Sequence, residues 1–157
     1  KTVLHWNLEQ RSILSGALIY AMATQDDVSD EVIPYLAYGK QLSDRATLQS
    51  SGRVLLPVDD TSDGEVELAG IVHYLWTVNR QAVFPALEVT ASVPFDSGDG
   101  DAVQWTVLPQ VRVGLTRGGH VALNAGIEFP LNDQSYETRY HIVLLWDFAD
   151  GSFFKGW

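Results

Sequence analysis

Apolar and polar side chains alternate along most of this chain, and a period of two constrains the backbone to strands. From Gln104 to Leu115, Trp105, Val107, Val111, Val113 and Leu115 share one face, while Gln104, Thr106, Gln110 and Arg112 share the other. The same pattern runs through 120–131, 85–95, 65–78, 47–58 and 139–148, and less cleanly through 12–23 and 32–41. That predicts about eight antiparallel strands, no helix and no internal boundary. The expectation is one all-β domain over 1–157, ending in a short C-terminal tail at 149–157.

Composition narrows the partners. With 157 residues the chain is one domain, and 46% hydrophobic content is too high for a disordered acidic tail. A formal net charge of −10 argues against nucleic acid, whose phosphates need Lys and Arg. The absence of cysteine excludes disulfide scaffolds, thiolate metal sites and cysteine nucleophiles. No apolar run is long enough for a membrane-spanning helix. Lys1-Thr2-Val3 does not open a signal peptide, so the chain reads as a mature form, an expression product or a piece of something longer.

The connections alternate in character. Short turns are expected near 42–44, 79–82 and 116–119. Longer loops at 24–31, 59–64, 96–102 and 132–137 hold more than half of the chain's 20 acidic residues and no Lys or Arg. An up-and-down meander would then have one acidic, long-looped end and one tight, mildly basic end.

Two environments produce such alternation. A soluble barrel or sandwich turns its apolar face inward, whereas a membrane barrel turns it to lipid and keeps polar residues in its lumen. Exposed strands of soluble sheets favour lysine, yet the three lysines here, Lys1, Lys40 and Lys155, avoid mid-strand positions. The polar face mixes small residues with both charge signs, which a lumen can pair. Its lumen-lining candidates are Arg53, Glu65, Glu67, His73, Glu88, Arg112, His120, Glu128, Arg139 and His141. The apolar face carries Tyr74, Trp76, Phe95, Trp105, Phe129, Tyr140, Trp146 and Phe148, mostly near strand ends, as in the aromatic girdles of membrane barrels. The expected fold is therefore an antiparallel up-and-down transmembrane β-barrel, complete or a portion of a larger one. The runner-up is a soluble β-barrel or sandwich that binds a hydrophobic ligand.

Tyr140 to Phe148 resembles the terminal signature of bacterial outer-membrane barrels, where an alternating strand ends in an aromatic. The tail departs from that pattern, with Trp157 as an alternative terminal aromatic. Phe84-Pro85-Ala86-Leu87-Glu88, Val93-Pro94-Phe95 with its glycine-rich loop, Gly118 to Pro130 and the Trp-Asp-Phe ending are similar to a narrower family. That family is the transporter-like outer-membrane proteins first named for a phenol-degradation (meta-cleavage) pathway. The resemblance covers roughly 84–148 and implies a Gram-negative outer-membrane barrel for uptake of small hydrophobic or aromatic solutes. Members are generally longer, which leaves open that this is a C-terminal portion. A periplasmic C-terminus would put the short turns in the periplasm and the acidic loops outside.

Chemical motifs are sparse. Asp96, Asp99 and Asp101 share a glycine-rich loop suited to Ca²⁺, without the spacing of a helix-loop-helix site. Acidic loops could also meet lipopolysaccharide phosphates through divalent cations, alongside outer-membrane lipid and a periplasmic or membrane protein partner. A membrane hydrolase using His73 or His120 is a third reading, with no distinctive motif behind it. No other cofactor is expected. Pro109 in mid-strand predicts a bulge or an edge. An eight-stranded barrel would be filled by its own side chains. A wider one would form a channel in which Arg53, Glu67, Glu88, Arg112 and Glu128 steer solutes.

Overall fold

The computed structural model describes residues 2–24, 29–78, 81–96, 103–116, 121–132 and 134–146. His120, Phe148, Asp99, Asp101 and the tail at 149–157 lie outside them. Ten strands form one sheet: β1 (Thr2–Asn7), β2 (Ser12–Ala21), β3 (Glu31–Gln41), β4 (Ala46–Pro57), β5 (Glu65–Tyr74), β6 (Trp76–Val78), β7 (Gln81–Pro94), β8 (Gln104–Gly114), β9 (Val121–Pro130) and β10 (Arg139–Trp146). Among the described residues, one 3-10 turn at Thr61–Asp63 interrupts the strands. Consecutive strands pair antiparallel throughout, with β6 continuing β5 beyond Leu75 and pairing with β7 alongside it. Among the described residues β1 and β10 do not pair, so the sheet has two free edges.

The expected count of about eight strands is corrected to ten. Two features account for the difference. Thr2–Asn7 is a strand whose alternation is broken by a bulge between Val3 and His5, where Leu4 packs over Gly16. The segment 65–78 is divided at Leu75, whose amide donates instead to the Arg45 carbonyl at 2.6 Å. Pro109 makes neither a bulge nor an edge. The β8–β9 register is the same before and after it, and the ladder only skips Leu108 and Pro109. A missing N–H removes local pairing without forcing an extra residue into the strand.

Residues paired across a ladder point to the same side, so register carries a face across the sheet. Glu67 pairs with Arg53 and Ser92, Arg112 with Asn124, and Glu128 with Arg139. On the other side Leu68 pairs with Gly52 and Ala91, Val89 with Gly70 and Val107, and Ile142 with Ala125. The polar side is concave. Residues of β4 and β10 line one hollow, although five inter-strand steps would separate them by about 24 Å in a flat sheet.

The convex side is apolar and open to its surroundings. Leu18 is 74% exposed, Leu68 60% and Ile142 77%. Among the described apolar residues only Ile33, Ala37, Val121 and Ala122 are buried. The hydrophobic layer thus lies on the outside of the curl, and among the described residues no second layer packs on it.

Candidate functional site

The concave face collects the charged residues because the strands that carry them keep their alternation in register. Arg53, Glu65, Glu67, Glu88, Glu128, Arg139 and His141 line a hollow of about 910 Å³ at the end of the long connections. A second hollow of about 300 Å³ continues toward the short-turn end and includes His73, Gln49 and Ser51. The two share Arg53, Glu67 and Glu88, which form a polar waist between them.

The waist is hydrogen-bonded. Arg53 Nη2 donates to Glu67 Oε2 at 2.7 Å. Gln110 Nε2 donates to Glu88 Oε2 at 2.8 Å, and Asn124 Nδ2 donates to Gln110 Oε1 at 2.6 Å. This chain of amides and carboxylates links β7, β8 and β9. It has room because Gly126 stands opposite Gln110: a Cβ on Gly126 would fall 2.8 Å from the Gln110 Cβ. Arg112 belongs to the same face and acts electrostatically on His73.

A second cluster lies at the long-loop end. Tyr136 donates its hydroxyl to Glu128 Oε1 at 2.6 Å. Arg139 Nη1 lies 3.7 Å from the same oxygen, and His141 Nε2 lies 3.2 Å from Glu128 Oε2. The Arg139 guanidinium stacks 3.7 Å above the Tyr136 ring. Burial, then the Glu128 carboxylate, hold the Tyr136 hydroxyl above its ordinary pKa. Glu128 is the shielded centre, its side chain 15% exposed.

The aromatic candidates stand on the convex face in two rows. Phe95, Trp105, Phe129 and Tyr140 lie at the long-loop end, joined by Tyr20. Tyr74, Trp76 and Trp146 lie at the short-turn end, joined by Tyr38. Along β10 the rows are six residues apart, from Tyr140 to Trp146, or about 20 Å of strand.

Asp96 lies two residues beyond the end of β7. Its expected Ca²⁺ partners lie outside the described residues, and among the described ones no three His, Asp or Glu side chains gather to hold a metal. Two other acidic loop residues are tied to nearby amides and hydroxyls. Asp30 accepts from the Ala23 amide at 2.8 Å and from the Tyr20 hydroxyl. Asp60 accepts from the Ser62 amide and hydroxyl at 2.9 and 2.7 Å.

Gln110 and Asn124 were legible as polar-face residues, but their place in the waist needs the register. Tyr136 carried no signal, because it lies in a connection outside any alternating run. No family model matches the sequence, and comparison with curated proteins and with solved structures found no match.

Proposed function

We propose that this chain forms the wall of a bacterial outer-membrane β-barrel whose concave face binds or passes small solutes. The carrying observation is the inversion of faces: the convex side is exposed and apolar between two aromatic rows, while the charges gather on the concave side. In water such a surface would aggregate; against lipid it is the stable arrangement. Strand length supports the same reading. Strands β2 to β5 and β7 to β9 run 10 to 14 residues, whereas strands of globular proteins average about five or six and tilted spanning strands need about 9–11.

The resemblance to the transporter-like family adds uptake of small hydrophobic or aromatic solutes as the role. The acidic loops add contact with lipopolysaccharide through divalent cations. The concave face acts by fit and field, with Arg53, Glu67 and Glu88 at its narrowest point.

The test is far-UV circular dichroism of the purified chain with and without detergent micelles, paired with gel migration before and after boiling. A β-spectrum that requires detergent, with faster migration of the unboiled sample, supports the barrel. Vesicles containing the protein should then admit small solutes. A soluble monomer with a β-spectrum in plain buffer overturns the reading in favour of a soluble sheet protein with a hydrophobic ligand.

A further inference from the structure

The segment 134–136 turns inward. Gln134, Ser135 and Tyr136 line the larger hollow opposite Arg53 and Glu65 of β4 and β5, although the segment belongs to the β9–β10 connection. Its start is tied to β8, where Asn132 Oδ1 accepts from the Trp105 amide at 2.9 Å and Gln134 Nε2 donates to the Trp105 carbonyl at 3.2 Å. Farther on, the inward side-chain contacts converge on one point: the Tyr136 hydroxyl on Glu128, with Arg139 over the ring.

We propose that Tyr136 sets the size limit of the hollow: latched to Glu128, it holds 134–136 across the concave face, and its release admits bulkier solutes. The inference rests on the concave face being the solute-bearing one. It goes beyond that reading by naming the residue that selects solutes and the property selected, which is bulk. The latch is a hydrogen bond to a shielded carboxylate, stronger than one between neutral groups. It is also a single side-chain contact, so losing it loosens the Tyr136 end of the segment without touching a ladder.

The chain has no cysteine, so one placed at Thr90, on the wall of the hollow, reports access alone. In detergent-folded Thr90→Cys, a small neutral thiol reagent should label quickly and a bulky maleimide slowly. Adding Tyr136→Phe keeps the ring over Arg139 and removes the hydroxyl. The bulky-reagent rate should then rise about tenfold or more, the effect of one hydrogen bond to a charged group, with the small-reagent rate little changed. Glu128→Gln, which keeps the side chain's bulk on the wall but weakens the acceptor, should shift the bulky-reagent rate in the same direction and should add little once the Tyr136 hydroxyl is gone. Equal labelling ratios with and without the hydroxyl overturn the proposal, as do additive effects. Vesicles that admit no solute would defeat the transport reading while leaving the labelling ratio to decide the role of Tyr136.

Discussion

At Gly126 a missing side chain lets two strands share one volume. The Gln110 side chain occupies the space a Cβ would take, with the Pro109 carbonyl only 3.0 Å from that point. Gly126→Val should therefore destabilise the fold by about 1–3 kcal/mol, the usual cost of overpacking, read as a lower temperature for loss of the fast-migrating band. The loops offer a second single-residue test. The Tyr20 hydroxyl, then the Ala23 amide, lower the pKa of the Asp30 carboxyl below its ordinary 3.8. A depressed folded pKa means that this contribution is complete above the ordinary value and lost as pH falls through the lower one. Protection of the Ala23 amide, relative to its intrinsic exchange rate, should fall in that acid window, and Asp30→Asn should abolish that fall. At this scale the residue types of the site could be read from alternation, but not their contacts. Arg53 and Glu67 are 14 positions apart, and only the β4–β5 register brings them to 2.7 Å. Tyr136 could not be read at all, since nothing in a connection of mixed polar residues says which way it turns.

Each strand presents one face to either environment, so neighbouring positions on β7 make opposite predictions. Val89 is on the convex side and Thr90 in the hollow. Val89→Arg should cost about 2–4 kcal/mol in lipid or micelles, as expected for a charge facing lipid near mid-strand, while Thr90→Arg should leave folding nearly unchanged. Denaturant titration of the two variants in detergent checks this; equal losses would mean that both faces are packed against protein. Strands were legible wherever the period of two held for five or more positions, as in Val121–Pro130 and Arg139–Trp146. They were illegible where the backbone departs from it. In Thr2–Asn7 a bulge sets Val3 and Leu4 side by side as an apolar pair, which hides the strand. At Leu75 the sequence continues its alternation, and β5 and β6 keep one register against β7, so nothing in the pattern marks the break.

For the whole molecule, that one hidden strand changes the closure problem. Eight antiparallel strands would leave edges of opposite sense. With β1 included and β6 continuing β5, nine strands lie in order across the sheet, and β1 and β10 run in the same direction. Unpaired edges cost several kcal/mol per buried polar group in lipid, and bacterial single-chain barrels close with even numbers of antiparallel strands. An odd number of further strands between the two edges would restore that pattern. Val3→Cys with Val143→Cys, in this cysteine-free chain, should accordingly give no disulfide in the folded protein; an efficient bond would show a parallel seam. The two ends of the sheet also differ as protease substrates. Arg11, Lys40 and Arg45 cluster at the short-turn end, and Asp30, Asp59, Asp60, Asp63 and Asp96 at the other. In the proposed barrel, trypsin applied to sealed vesicles would cut mainly from the short-turn side and an acid-specific protease mainly from the other, with exposed Asp44 beside Arg11 as the exception, so the fragments would report which way each molecule had been inserted.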